Sequence, residues 1–163
     1  MPSPAYWYSV TYGNGKFVAV ADETNKAAYS TDGISWAETT LSSSAHWSCV
    51  AFGGGKFVAF AYGDDYGETN EAAHSTDGIN WTETTMPSTA GWYSVAYGDG
   101  KFVAIGGDDS TQAAYSTDGI NWVEINRSLP VYWSSIAYGS GKFVAVAYDS
   151  NKAAYCDVNI PIS

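Results

Sequence analysis

Basic residues are scarce: seven Lys and Arg stand against 17 Asp and Glu, for a formal charge of −10. Such a chain repels phosphate backbones instead of gaining from counterion release, so nucleic acid is not an expected partner. Arginine is represented by Arg127 alone, which rules out a site built from clustered guanidinium groups, because lysine does not reproduce their bidentate geometry. The two cysteines, Cys49 and Cys156, are too few for the spaced framework of a disulfide-stapled domain. They fit synthesis in a reducing cytoplasm, with a single bridge between them as the alternative. His46 and His74 are the two histidines; they fall at different points of the repeat described below, so neither a metal pair nor a serine–histidine arrangement is indicated. No apolar run approaches the roughly 20 residues that span a bilayer, and the opening Met-Pro-Ser-Pro-Ala-Tyr-Trp has neither a basic start nor a hydrophobic stretch. Membrane insertion and an export signal are therefore not expected.

What the chain has in quantity is apolar and aromatic side chain, 45% and 16% of its 163 residues. That is enough for one packed domain spanning 1–163. It is organised by an internal repeat. Ser-Thr-Asp-Gly-Ile-(Ser/Asn)-Trp occurs three times, at 30–36, 75–81 and 116–122, and Trp7, Trp47, Trp92 and Trp133 open four similar units. The unit boundaries fall at about 6–40, 46–85, 91–125 and 132–163.

Each unit starts with an alternating segment such as Trp7-Tyr-Ser-Val-Thr-Tyr12 or Trp92-Tyr-Ser-Val-Ala-Tyr97, the period-2 pattern of a strand (a). A Gly-x-Gly-Lys turn follows, ending at Lys16, Lys56, Lys101 and Lys142. Without the spacer and the Ser or Thr of a phosphate loop, it reads as a tight hairpin. Phe-Val-Ala-Val and its variants then form a strand (b) that is apolar on both faces, as a strand sandwiched between sheets must be. After a polar loop that differs in every unit, Ala-Ala-(Tyr/His)-(Ser/Cys) gives strand c. The Thr-Asp-Gly turn leads into strand d, Ile-x-Trp-x-Glu. Four short antiparallel strands per unit of about 40 residues predict an all-β fold, a β-propeller with four blades. A β-trefoil would need three units, and a solenoid would not need the last hairpin. The fourth unit, from Ala153 to Ser163, has no Gly turn and no Trp, so its last strand is expected to be degenerate or missing.

Ser-x-Asp-x-Gly-x-x-Trp between the third and fourth strands resembles the Asp-box of sialidase-like propellers. The wider phrase Ser-Val-Ala-Tyr-Gly-x-Gly-Lys-Phe-Val-Ala is similar to blades of bacteriophage tail and tail-fibre proteins. The resemblance implies the architecture but not sialidase activity, which needs an arginine cluster beside a tyrosine nucleophile. No catalytic residue, cofactor or metal site is expected. In the box, Asp32, Asp77 and Asp118 should accept hydrogen bonds from the turn's N–H groups, while Gly33, Gly78 and Gly119 take the unusual backbone angle. Ser30, Ser75 and Ser116 open the turn, and Trp36, Trp81 and Trp122 cover it. This makes the box a structural staple, with calcium binding by the aspartates as the alternative.

In an up-and-down blade, the variable b–c loops and the d–a connectors share one face of the ring, and binding usually lives on such loops. That face carries an acidic set, Asp22, Glu23, Asp64, Asp65, Glu68, Glu71, Asp108, Asp109 and Asp149. It also carries the aromatics Tyr6, His46, Tyr62, Tyr66, Tyr132 and Tyr148, with Trp47, Trp92 and Trp133 beneath or among them. Rings flanked by carboxylates stack on sugars and bond their hydroxyls, so carbohydrate is the expected ligand, in glycan or cell-surface recognition. A purely structural, phage tail-like or self-assembling role is the alternative, and an atypical glycoside hydrolase a distant one. The tryptophans, repeated in every unit, read more simply as core between blades than as ligand platforms. Self-pairing of two chains into an eight-bladed ring is expected if four blades do not close alone, since an unpaired edge favours pairing. Asn80-Trp-Thr82 and Asn126-Arg-Ser128 match glycosylation acceptors, but without an export signal they read as accidental.

Overall fold

A computed structural model describes residues 1–63, 69–107, 112–126, 132–148 and 150–157. Among them are fourteen strands and no helix, all paired antiparallel. The first unit supplies β1 (Tyr6–Gly13), β2 (Lys16–Asp22) and β3 (Thr24–Ser30). The 17-residue β4 (Ala37–Gly53) is both the last strand of the first unit and the first of the second. With β5 (Lys56–Tyr62), β6 (Thr69–Ser75) and β7 (Thr82–Ala90) it completes a seven-stranded sheet in chain order. The third unit forms a second sheet from β8 (Trp92–Gly98), β9 (Lys101–Gly106), β10 (Gln112–Ser116) and β11 (Val123–Asn126). The fourth forms a third sheet from β12 (Trp133–Gly139), β13 (Lys142–Ala147) and β14 (Ala153–Asp157). The expected degenerate strand after Asp157 lies outside the described residues.

Two details differ from the sequence reading. The first unit has no polar loop from Asp22 to Lys26: β2 and β3 meet in a tight turn at Glu23, which takes a positive φ of 55°. The first strand of every unit also departs from strict alternation. Pairing slips between Trp7 and Ser9, Trp47 and Cys49, Trp92 and Ser94, and Trp133 and Ser135. Each gap holds one extra residue (Tyr8, Ser48, Tyr93, Ser134), the mark of a bulge, which re-aims its side chain.

The core lies between units, not within them. Val18 and Val20 pack with Trp47 and Phe57 between the first and second units. Val58 and Phe60 pack with Trp92 and Phe102 between the second and third, and Val103 and Ile105 with Trp133 and Phe143 between the third and fourth. The doubly apolar b strands are what this requires: Val18, Val20 and Phe60 are fully buried. Cys49 and Cys156 are not joined by a disulfide, and burial pushes the Cys49 thiol up to about 12.

The Asp-Gly turn closes the same way three times. In the second unit Asp77 Oδ1 accepts from the N–H groups of Ile79 (2.9 Å) and Asn80 (2.8 Å), while the Asn80 amide donates to Oδ2 (2.8 Å). Ser75 Oγ donates to the carboxylate and accepts from Gly78 N–H (2.9 Å). The backbone donors Ile34 and Ser35 hold the Asp32 carboxyl down at about 2. The backbone and side chain of Asn80 hold that of Asp77 lower still. At Asp118 burial pushes the other way but is outweighed by the side chain and backbone of Asn121 and by Ile120. A carboxyl depressed in the folded chain stabilises it fully above its unfolded value, 3.8, and that stabilisation is lost as pH falls through the folded value. His74 is also depressed below 6.5, chiefly by burial and then by Lys56, so protonation of the unfolded chain begins to erode stability nearer neutrality. The expected melting temperature falls shallowly from about pH 6.5 and steeply below about pH 4. Melting curves that are flat between about pH 5 and pH 2.5 would show that the three aspartates are not the staples described.

Candidate functional site

At the variable end of the first two units a cleft of about 150 Å³ opens to solvent, lined by Tyr8, Asp22, His46, Trp47, Ser48, Tyr62 and Tyr93. A cavity of about that size holds one six-membered ring. Its walls come from three successive units. Tyr8 is the bulge residue of the first and Tyr93 that of the third; between them the second unit has Ser48. A serine at a position its neighbours fill with tyrosine leaves the space that is the cleft.

The small residue is held in place. Ser48 Oγ, 9% exposed, lies 3.1 Å from the Phe60 carbonyl and 2.5 Å from the Trp92 carbonyl of the next unit. On one side Tyr62, the end of β5, meets Tyr93 edge-on with ring centroids 5.1 Å apart. On the other side His46 Nδ1 is 2.9 Å from Asp22 Oδ1, so the carboxylate orients the imidazole across the junction of two units. Trp47 is fully buried and forms the floor. The cleft thus combines ring faces and edges with one carboxylate–imidazole pair. Asp22, Glu23 and His46 place ligand atoms within 4.8 Å of one another, and they are the residues here that could hold a cation.

Of the residues singled out in the sequence, His46, Trp47 and Tyr62 meet in this cleft. Trp92 is fully buried, and its carbonyl meets Ser48 Oγ. Tyr132, Trp133 and Tyr148 occupy the same positions in the fourth unit: Trp133 is buried, while Tyr132 and Tyr148 are 49% and 74% exposed. Tyr148 N–H donates to the Tyr132 carbonyl at 2.7 Å. Asp64, Asp65, Tyr66, Asp108 and Asp109 lie outside the described residues. Sequence reasoning missed Tyr8, Ser48 and Tyr93 as site residues, and named Asp22 only as one acid among many. The signal was present as the alternation Tyr8, Ser48, Tyr93, Ser134 after the unit-opening tryptophans.

No family model and no curated protein matches the sequence. Solved structures do resemble the fold. A streptogramin B lyase superposes with a TM-score of 0.70 at 15% identity over 94% of this chain and 55% of the lyase. The computationally designed Ika4 protein gives 0.68 at 8% identity over 95% and 92% of the two chains. YCF48, solved bound to a D1 peptide, gives 0.63 at 15% identity over 94% and 49%. The chain thus spans about half the length of the lyase and of YCF48. At these identities the likeness concerns architecture alone, and the fold is a β-propeller.

Proposed function

We propose that the chain is a non-catalytic binding module: a propeller of four Asp-box-type blades, the last one incomplete, that takes a sugar ring into the cleft at Ser48. The observation that carries this is the serine gap between Tyr8 and Tyr93, closed at its sides by Tyr62 and by the His46–Asp22 pair. Aromatic surfaces stack on the C–H faces of a pyranose, and a carboxylate–imidazole pair bonds its hydroxyls. An uncharged sugar also suits an acidic protein with one arginine better than an anionic ligand does. The same scarcity of arginine argues against sialidase chemistry on this scaffold.

Calorimetric titration with a panel of neutral mono- and oligosaccharides tests the reading. At least one sugar binds the wild type, and Ser48→Tyr, which copies the residue of the neighbouring blades, abolishes that binding in a chain that circular dichroism shows to be folded, though less stable for the loss of the buried Ser48 hydroxyl's contacts. Failure of every sugar to bind, or undiminished binding by Ser48→Tyr, would leave an architectural role, such as a blade set in a phage tail-like assembly, as the better account.

A further inference from the structure

One contact recurs at all three junctions between consecutive blades and two others at two of the three, and the two end blades expose the two halves of a fourth such junction. In each junction the glycine ending a first strand is covered by an aromatic ring of the next blade: Gly13 by Phe52, Gly53 by Tyr97, Gly98 by Tyr138. Gly139 has no described atom within 4 Å of a Cβ built on it, and Tyr12, the ring of matching position, is 58% exposed. Ser9 Oγ accepts from Val50 N–H and Ser94 Oγ from Ile136 N–H, both at 3.2 Å, and their counterparts at the ends are Ser135 and Val10. The methyls of Val18 and Val58 meet the Asp-turn glycines Gly78 and Gly119 of the following blade. Their counterpart Val144 is 42% exposed in an apolar groove with Ala153, Ala154 and Tyr155, while the turn residue Ile34 on the first blade is 84% exposed. The fourth blade's face thus matches the first blade's as the internal faces match one another.

We propose that a second copy of this chain covers these faces, the fourth blade of each copy packing on the first blade of the other to close a ring of eight blades. The alternation at the bulge position fits this junction. A Ser134-type blade is followed in this chain by a Tyr8-type blade, and the first blade is of that type. Among the described residues the outer faces of the first and fourth blades are not packed on each other, and a second copy related by a twofold axis supplies the missing neighbours and brings the ring to eight blades, within the range of closed propellers.

Pairing also builds a second cleft, an inference that rests on the binding reading for its use though not for its existence. Ser134 Oγ lies 3.3 Å from the Val146 carbonyl, as Ser48 does from that of Phe60. In the ring it reaches the Trp7 carbonyl of the partner subunit as Ser48 reaches that of Trp92. The cleft is then walled by Tyr93 on one side and by Tyr8 of the partner subunit on the other, with Tyr148 meeting that ring as Tyr62 meets Tyr93. Tyr132 stands where His46 does, and Gly107 where Asp22 does. This second cleft lacks the carboxylate–imidazole pair, so it takes a less polar ring or ring face than the first.

Sedimentation of the full chain is expected to give twice its 17.4 kDa. Val144→Glu and Tyr12→Glu, which charge opposite faces, each give the single-chain mass with unchanged circular dichroism. Mixing these two variants restores a two-chain species, because one of its two junctions then has both faces intact. In a Cys156→Ser background, Tyr8→Cys with Tyr148→Cys is joined into a covalent dimer by a short bismaleimide. A wild type of 17.4 kDa, a species larger than two chains, or a dimer unaffected by both charge variants would overturn the ring. A two-chain species that the bismaleimide does not join would overturn the second cleft. A ring that forms and binds no sugar refutes the proposed function while leaving the pairing intact.

Discussion

Gly53→Ala is expected to cost about 3 kcal/mol, read as a shift of the urea midpoint, even though alanine suits a strand better than glycine does. The added methyl would fall inside the ring of Tyr97, against Cγ at the root of the ring. A clash at the tip of a side chain is relieved by rotation, but one at the root requires the whole residue to move. Tyr97 is packed in turn on Phe102, centroids 4.7 Å apart, so the third blade would have to withdraw from the second. The control lies in the same chain. In a Val144→Glu background, where pairing is removed, Gly139→Ala should be close to neutral, because its Cβ meets nothing described. Equal costs at the two sites would refute the ring-on-glycine junction.

Trp92→Ala should cost about 3–5 kcal/mol, the range for deleting a large buried aromatic and leaving its cavity. Trp92 is fully buried among Val58, Phe60, Ala90 and Phe102, filling the junction of the second and third blades. It also fixes the carbonyl that Ser48 Oγ contacts, so the variant is expected to weaken sugar binding together with stability. Trp7 has the same sequence context but is only half-buried among the described residues. In the same Val144→Glu background Trp7→Ala is therefore expected to cost clearly less, measured by the same denaturant titration. A cost at Trp7 equal to that at Trp92 would show that burial between blades does not set the tryptophan's contribution.

Much of the fold was legible because repetition multiplies weak signals. A single Phe-Val-Ala-Val is ambiguous between strand and buried helix; four copies, each behind a Gly-x-Gly-Lys turn, are not. The Asp-turns were readable for a local reason: Asp77 bonds residues two and three positions on, so the partners lie in the motif itself. The cleft was legible only in part. His46, Tyr62 and Trp47 could be assigned to the variable face by counting strands. That Tyr8, Ser48 and Tyr93 share the cleft depends on a bulge, which a strict period of two assigns to the wrong side.

The sequence by itself determined the unit, its strands, its turns and the order of its faces, because hairpin pairing and turn chemistry act between residues close along the chain. Only the tertiary structure decided which side chains of different units meet. His46 finds Asp22 24 positions away, Ser48 finds the Trp92 carbonyl 44 away, and Tyr12 finds no described blade beyond it. Such contacts follow from the angle between packed sheets, which is set by how rings, glycines and valines fill the space between them and is written in no single stretch of chain.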